Sequence, residues 1–510
     1  MIALFFICHR FHFSIPGLAK NFSQDLDHFN NHDSTTFNQR YFINSSFVSP
    51  KDPVSSLIVY VGDDLKAADD ESRLGPIFSL ARRTKSLIVS LEHRFFGESV
   101  PFDLTNDNLK YLTIEQSLED IANFISFINE TECKNCKAII VGGSYFGSLA
   151  SWFRMKYPHF VNAAWASSAP VNMITDYYQF DENNAKIIEH LIPVCLNNLV
   201  KILGDLEKIV INKDLNKIKE MKIRFGINIE QNDISFLYVI ADSISNAIVQ
   251  NNFQNELVKK MCKAIENENL DGLIQSFKEI NNVFGDTPVS LDPLSYTDTS
   301  KFAKYHDERS WNWLKCNQLG LFQTSSGKLR STLIDLSYFN NVCQKLFERD
   351  HSSQNSINMD YGGSSPRSTN ILFVNGKNDP WNSISVINSE PHLNIFTNII
   401  SNASHSTDLT SNIDSNQENN ILKIIERWIK VDHLKCHNGG IKILDECKCT
   451  SNFGGKYCEF SKRRFRCISV LSVLTPTVLL LIIGLTVCLS EKGSELMNEF
   501  GNRPKLYLYV

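Results

Sequence analysis

Three residues that are far apart along the chain could together carry out nucleophilic catalysis: Ser144, Asp379 and His405. A serine hydroxyl is a weak nucleophile at neutral pH, so it needs a base within hydrogen-bond reach, and the base needs a carboxylate that orients it. Ser144 lies among glycines in residues 141–147, and each of the three residues follows an apolar run. The set therefore predicts acyl transfer by a Ser–His–Asp triad.

Each of these residues also has a plainer interpretation on its own. Ser144 could be a turn serine, because Phe146 stands where a G-x-S-x-G turn would have its second glycine. Asp379 precedes Pro380, which is common in ordinary turns, and a single histidine after a strand is usually a loop residue. The triad is favoured because all three residues occur together, each after an apolar run.

The segments before these residues are short apolar runs, and the segments between the runs have helical periodicity. The runs are residues 57–61, 86–91, 138–140, 163–166, 371–374 and 393–400. Such an alternation predicts a parallel sheet covered by helices on both faces, with residues 22–50 as an edge hairpin. Catalytic groups in such a sheet lie at the carboxyl ends of the strands. The order Ser–Asp–His is that of the α/β-hydrolase fold.

The sequence changes character between the serine and the acid. Leucines recur at helical spacing in residues 176–365, among segments rich in Lys, Asp and Asn, so we expect an inserted helical cap domain. The α/β-hydrolase core would then consist of residues 21–175 and residues 366–430. A short apolar run at the amino end makes residues 1–20 a candidate signal peptide.

Composition excludes some partners and indicates the compartment. The chain of 510 residues has a net charge of −5, without the basic surplus that nucleic-acid binding requires. No motif for a metal or another cofactor occurs. Thirteen cysteines and four N-x-S/T sequons predict a secretory route with glycosylation. The sequon asparagines are Asn21, Asn44, Asn129 and Asn402.

Six cysteines within the predicted core and cap are expected to form structural disulfides. Cys133 and Cys136 form a CxxC motif without the context of a redox site, so a structural bridge is favoured. The remaining four should pair with one another, in a connectivity that the sequence leaves open. They are Cys195, Cys262, Cys316 and Cys343.

Residues 436–458 follow the predicted core and resemble the later part of an EGF-like domain. The expected disulfides are Cys436–Cys447 and Cys449–Cys458. A unit this small cannot bury a core of its own and needs such bridges. A zinc knuckle is the alternative, which the glycine pattern disfavours.

Residues 468–490 contain no charged residue and predict one transmembrane helix, with residues 491–510 as a tail. The basic residues 462–466 would place the preceding domains in the cytoplasm. The cysteines and sequons favour the opposite orientation. We therefore expect a single-pass membrane protein whose catalytic domain is extracellular or in the lumen of the secretory or lysosomal system.

The serine turn and its helix, residues 142–159, resemble the S28 serine peptidases of the prolyl carboxypeptidase and dipeptidyl peptidase type. Further matching motifs extend over residues 24–430. They are residues 37–41, 92–99, 165–170, 311–316, 320–324, 375–381 and 405–409. The resemblance implies an α/β-hydrolase core with a helical insertion. It also implies exopeptidase cleavage next to proline, often at acidic pH.

The resemblance assigns roles position by position. They are nucleophile for Ser144, orienting acid for Asp379, base for His405 and, through its backbone N–H, oxyanion donor for Tyr145. It implies proline-containing peptide substrates. Independently of the resemblance, we expect no cofactor, and a homodimer is a candidate assembly. His93 and Arg94 come from another matching motif, and we expect them to form a buried charged corner near the site.

Four departures from the family pattern bear on activity. They are the Gly62-Asp63-Asp64 loop in place of a glycine-rich turn, the bulky Phe146, Gln318 in place of a glutamate, and Ala403-Ser404 after the sequon at Asn402. Carboxylates in the first loop could repel an oxyanion. The alternative is therefore a catalytically weak or inactive membrane-bound homologue that acts as a binding protein. An esterase on the same core is a weaker alternative, and the sequence leaves open which end of a peptide is cleaved.

Overall fold

A computed structural model describes most of the chain. The described residues are 19–49, 54–62, 74–134, 136–252, 256–283, 292–351, 355–410, 413–430, 441–443, 446–450, 453–454 and 460–461. The chain divides into two units. The first comprises residues 1–434 and 443–445, and the second comprises residues 435–442 and 446–510.

Eight strands of the first unit form one sheet. They are β1 (Lys20–Asp25), β2 (Thr36–Asn44), β3 (Ser56–Val61), β4 (Leu87–Leu91), β5 (Lys137–Gly143), β6 (Ala163–Ser167), β7 (Ile371–Gly376) and β8 (Ile395–Ile400). Their order is β1-β2-β4-β3-β5-β6-β7-β8. β2 pairs antiparallel with β1 and β4, and the other neighbours are parallel. The predicted edge hairpin and parallel sheet are confirmed.

The central strands are apolar on both sides because both faces of the sheet are covered. In β3, Leu57 and Val59 belong to one hydrophobic cluster, while Ile58 belongs to another. In β5, Ile140 belongs to the first of these clusters and Ile139 belongs to the second. Alternate side chains of a strand point to opposite faces, so an unbroken apolar run is what a doubly covered parallel strand requires.

Fourteen α-helices lie in the part of the chain that the structure describes. They are α1 (Gly75–Thr84), α2 (Asn106–Leu109), α3 (Ile114–Thr131), α4 (Tyr145–Lys156), α5 (Gln179–Leu191), α6 (Pro193–Ile211), α7 (Leu215–Phe225), α8 (Asp233–Val249), α9 (Leu257–Ala264), α10 (Leu270–Val283), α11 (His306–Leu314), α12 (Leu336–Phe347), α13 (Asn355–Tyr361) and α14 (Ser415–Lys430). Helices α5 to α13 follow β6 and precede β7, in the stretch where the sequence predicts a helical insertion. The limits of that insertion, residues 176–365, and the other domain boundaries stay predictions.

Helix α3 begins where its sequence predicts a helix start. Thr113 is the N-cap, and its side-chain oxygen accepts a hydrogen bond from the backbone N–H of Gln116. A threonine N-cap satisfies an N–H group that has no partner within the helix. The cap therefore fixes the first turn of a helix that packs on the sheet.

Three disulfides join described residues of the first unit. Cys133–Cys136 forms the expected local bridge, Cys195–Cys262 links α6 to α9, and Cys316–Cys343 links the turn after α11 to α12. The predicted pairing among the insertion cysteines is confirmed, and the structure supplies its connectivity. Both long-range bridges lie among the helices between β6 and β7.

The predicted single-pass membrane localisation requires correction. No helix in the described ranges is long and apolar enough to cross a bilayer. The longest of these helices, α6, has 19 residues and carries Lys201, Asp205 and Lys208, whereas a spanning helix needs about 20 mostly apolar residues. Residues 468–490, on which the prediction rested, and residues 491–510 lie outside the described residues, as do residues 1–18 of the candidate signal peptide.

Four short strands occur after residue 440. They are β9 (Ile441–Ile443), β10 (Glu446–Lys448), β11 (Phe453–Gly454) and β12 (Phe460–Ser461), and they pair as β9 with β10 and β11 with β12. Cys447 and Cys449 are both disulfide-bonded, but their predicted partners, Cys436 and Cys458, lie outside the described residues. The two small strand pairs do not by themselves support an EGF-like module.

Candidate active site

The structure brings His405 and Asp379 into contact at the carboxyl ends of neighbouring strands β7 and β8. The Nδ1 atom of His405 lies 2.9 Å from Oδ2 of Asp379, whose side chain is buried at 2% exposure. The other oxygen, Oδ1, accepts a hydrogen bond of 3.0 Å from the backbone N–H of Trp381. A carboxylate only accepts hydrogen bonds, so in the neutral ring Nδ1 carries the proton and Nε2 has the lone pair. The pair is therefore arranged to use Nε2 as a base.

Ser144 occupies a sharp turn between the end of β5 and the start of α4. Its backbone φ of 56° and ψ of −132° lie in a region that residues with a side chain rarely adopt. Its N–H donates a hydrogen bond of 2.9 Å to the carbonyl of Ser167, the last residue of β6. A strained strand-to-helix turn of this kind exposes a serine hydroxyl at the edge of a sheet.

The geometry of the turn explains why Phe146 is compatible with it. A side chain at Gly142 would place a Cβ atom 2.3 Å from the carbonyl oxygen of Phe146, and one at Gly147 would lie 2.8 Å from the carbonyl oxygen of Ser167. Glycine is therefore required at 142 and 147, whereas 146 can carry a ring. That ring packs against Tyr145, with 5.4 Å between the centroids.

The loop that carries His405 packs against the serine turn. The N–H of Ser406 donates a hydrogen bond of 2.9 Å to the hydroxyl of Ser168, the residue after β6. An added Cβ atom on Gly143 would lie 3.0 Å from the hydroxyl oxygen of Ser406. Residues adjacent to Ser144 and His405 are thus within contact distance. The three residues that the sequence singled out lie at one edge of the sheet.

A neutral histidine anchors Tyr145, the residue after Ser144. His93 Nδ1 lies 2.8 Å from the carbonyl oxygen of Arg94, and Nε2 lies 3.2 Å from the hydroxyl of Tyr145. Burial lowers the pKa of His93 to about 4, so the ring is neutral at neutral pH. Because a carbonyl only accepts, Nδ1 is the donor and the Tyr145 hydroxyl donates to Nε2.

Sequence reasoning placed His93 and Arg94 in a buried charged corner near the site, and both are buried. It missed the hydrogen bond from Tyr145 to His93, because the two residues are 52 positions apart and no local pattern reveals their contact. The bond fixes the side chain whose backbone N–H is the predicted oxyanion donor.

Gln318, which stands in place of a glutamate of the family pattern, contacts the first turn of α3. Its Oε1 accepts a hydrogen bond of 2.8 Å from the N–H of Ile114, and its Nε2 donates one of 2.9 Å to Glu115. The Gln318 side chain therefore provides hydrogen-bond partners for the backbone N–H of Ile114 and the carboxylate of Glu115 in the first turn of α3. A glutamate there would place a second carboxylate beside Glu115. Asp63 and Asp64 lie outside the described residues.

The four sequons differ in accessibility. Asn44 is 5% exposed, and its side-chain oxygen accepts a hydrogen bond of 3.0 Å from Ser46. A glycan on Asn44 would require this side chain to leave the core. Asn21 and Asn402 are exposed and Asn129 is partly buried, and their modification stays a prediction.

Asp408 is a buried acid that sequence reasoning left without a role. Its carboxylate accepts hydrogen bonds from the Trp165 indole at 2.8 Å and from the Ser167 hydroxyl at 2.5 Å. Burial raises the pKa of Asp408 to about 6, against the lowering effect of those two donors. The carbonyl of Ser167 accepts from Ser144, so Asp408 supports the strand end on which the serine turn rests. Its only signal in the sequence is its place in the motif after His405.

The pKa of Asp408 predicts a pH dependence of stability. Between pH 4 and 6 the folded protein binds a proton at Asp408 that the unfolded chain, with a pKa near 3.8, does not. The contribution of Asp408 to the free energy of unfolding is therefore fully present below pH 4. It decreases by about 3 kcal/mol as the pH rises to 6. Urea unfolding of the oxidised protein at each pH measures it.

A matched pair of variants isolates this contribution. Asp408→Asn should be less stable throughout, because its amide nitrogen cannot accept from Trp165 or Ser167, but its stability should lose this decline with pH. The exposed Asp360 provides the control, and Asp360→Asn should keep the decline. If the stability of Asp408→Asn still decreases between pH 4 and 6 as in wild type, groups other than Asp408 cause the decrease.

The mainly parallel sheet, its helical layers and the strand-to-helix turn at Ser144 define the α/β-hydrolase fold. The sequence model of the serine carboxypeptidase S28 family matches residues 24–424. The chain belongs to this family and is a serine-type peptidase.

Two relatives show how far the similarity extends. Serine protease vicPb of Bipolaris victoriae is 28% identical over 431 residues, which cover 72% of this chain and 78% of the relative. The lysosomal Pro-X carboxypeptidase of Homo sapiens is 26% identical over 473 residues, which cover 83% and 89%. Among solved structures, an acetylester hydrolase from Corynebacterium glutamicum matches 81% of this chain and 96% of its own, at 12% identity and a TM-score of 0.37.

Proposed function

We propose that this protein is a serine exopeptidase that hydrolyses peptides next to proline through Ser144, His405 and Asp379. The observation that carries the proposal is the hydrogen bond of 2.9 Å between His405 and Asp379, on a loop that packs against the strained turn of Ser144. A base–acid pair near a serine hydroxyl is the arrangement that activates that hydroxyl.

In the proposed reaction, Nε2 of His405 takes the proton from the Ser144 hydroxyl as its oxygen attacks the scissile carbonyl carbon. The resulting oxyanion accepts a hydrogen bond from the backbone N–H of Tyr145, a kind of donor that lowers the barrier by roughly 3 kcal/mol. His405 then gives the proton to the leaving amine. Water, deprotonated by the same histidine, then attacks the acyl-enzyme, and His405 returns that proton to the Ser144 oxygen as the acyl–oxygen bond breaks.

Two observations support a preference for proline. The human relative is named a Pro-X carboxypeptidase. Trp381 follows the Asp379-Pro380 pair, and its ring centroid lies 6.4 Å from that of His405. The flat, stiff ring of proline packs well on aromatic surfaces, as proline-rich ligands do in aromatic-lined grooves. A tryptophan beside the base is a suitable wall for it.

A fluorophosphonate probe tests the nucleophile directly. The wild-type protein should be labelled at Ser144, and Ser144→Ala should lose both the label and the hydrolysis of proline-containing peptides. Ser151 is the matched control, because it lies on the helix after the turn and its buried hydroxyl has no hydrogen-bond partner among the described residues. Ser151→Ala should keep label and activity. A folded wild-type protein without label would favour the inactive binding homologue instead.

A further inference from the structure

A cavity of about 200 Å³ is lined in part by Trp381, which lies two positions after Asp379. This is several times the roughly 30 Å³ that one water molecule occupies in the liquid. Aromatic rings form much of its wall, namely Trp311, Trp381, Tyr238 and Tyr296. The Trp381 ring neighbours that of His405 at 6.4 Å, and the Trp311 ring neighbours that of Tyr145 at 5.4 Å. Two rings of the wall are thus neighbours of the proposed base and of the residue after the proposed nucleophile.

Lys315 lines this cavity and is 9% exposed. It begins a π-helical turn, Lys315–Leu319, after α11, and such turns are frequent at functional sites. Its side chain makes no hydrogen bond or ion pair with any described residue. A buried ammonium without an acceptor is costly, because the charge has lost water and gained nothing equivalent. The position therefore favours a ligand that supplies an acceptor.

The charged groups around the cavity leave Lys315 available. Asp242 lines the same wall but forms an ion pair of 2.7 Å with the fully buried Arg330. Glu308 also lines the cavity. Burial lowers the pKa of Lys315 to about 8, Asp242 raises it and Arg330 lowers it. The ammonium is thus still protonated at neutral and acidic pH.

We propose that Lys315 binds the α-carboxylate of the carboxyl-terminal residue of a peptide substrate and so directs the enzyme to carboxyl ends. This inference rests on the proposed peptidase function and adds a specificity-determining residue to it. A carboxylate held by a buried ammonium is a charge-assisted contact, which is stronger than one between neutral groups. It would align the last peptide bond with Ser144 while the aromatic wall holds the ring of the preceding residue.

The test compares one amino-blocked peptide, acetyl-Ala-Ala-Pro-Ala, with a free carboxylate or a carboxyl-terminal amide. Wild type should cleave the free acid with a kcat/KM about 10- to 100-fold higher than the amide. Lys315→Met, which keeps the length of the stem, should lose this preference mainly through a higher KM for the acid. Lys315→Arg restores a cation and should recover part of the preference. The exposed Lys304 provides the matched control, and Lys304→Met should leave the ratio unchanged.

Fluorophosphonate labelling of Ser144 separates the two proposals. If Lys315→Met is labelled as wild type is but keeps the full preference for the acid, the assignment of Lys315 is wrong while the peptidase function stands. A wild-type enzyme that needs a free amino terminus and accepts the amide equally well would also overturn it. If the folded wild-type protein is not labelled and cleaves neither peptide, the proposed function itself fails.

Discussion

Replacing Asp379 by asparagine is expected to lower kcat by about 10⁴-fold, the effect of the equivalent change in a Ser–His–Asp triad. The reason lies in the two contacts of the carboxylate. The Trp381 N–H donates to Oδ1, so an asparagine at this position would keep its oxygen there and turn its amide nitrogen toward His405. That nitrogen donates, so His405 would carry its proton on Nε2 and could no longer accept one from Ser144.

Steady-state kinetics on a proline-containing peptide would measure this loss, with thermal unfolding as the check on folding. Asp360→Asn makes the same chemical change at an exposed position and should keep wild-type kcat. Because the asparagine is nearly the same size as the aspartate, the fold should survive. A loss in kcat of less than about tenfold in a folded Asp379→Asn protein would show that Asp379 is not the orienting acid.

Most of the sheet could be predicted from the sequence because a strand covered on both faces is an unbroken apolar run. The run at residues 57–61 coincides with β3 (Ser56–Val61), and the run at residues 371–374 falls within β7 (Ile371–Gly376). The order of the strands and the connectivity of the disulfides could not be read in this way. Both depend on which segments meet in space, and periodicity carries no information on that.

The sequence likewise predicts some residues of the site but not the contacts between them. Ser144, Asp379 and His405 could be selected because each follows a strand, and parallel strands bring their carboxyl ends to one edge. The bond from Tyr145 to His93, the buried carboxylate of Asp408 and the cavity around Lys315 arise from contacts between distant segments. The sequon tripeptide likewise does not reveal that Asn44 is buried.

The buried charged corner, which consists of Arg94 and its partner Asp120, predicts the largest change in stability. Arg94 is fully buried and donates to both oxygens of Asp120, at 2.6 and 2.7 Å. Burial would raise the pKa of Asp120, but Arg94 and His28 hold it below its usual value. Asp120→Ala would leave the Arg94 guanidinium buried without its counter-charge. We expect the free energy of unfolding to fall by about 3–5 kcal/mol, measured with denaturant at neutral pH.

A double variant separates the pair from its surroundings. Arg94→Met with Asp120→Leu removes both charges and fills the space, so it should be less destabilised than Asp120→Ala. The exposed ion pair Lys186–Glu182 is the control. Glu182→Ala should change the free energy of unfolding by less than about 1 kcal/mol.

The carbonyls around Arg94 determine how much of the loss the double variant can recover. The guanidinium also donates to the carbonyls of Leu26 at 2.9 Å, Tyr111 at 2.8 Å and Asp25 at 3.1 Å. These oxygens lose their donor whenever Arg94 is removed. A double variant as unstable as Asp120→Ala would mean that these carbonyl contacts, rather than the ion pair, account for the stability of the corner. A more stable double variant would mean that the unpaired charge is what the fold cannot tolerate.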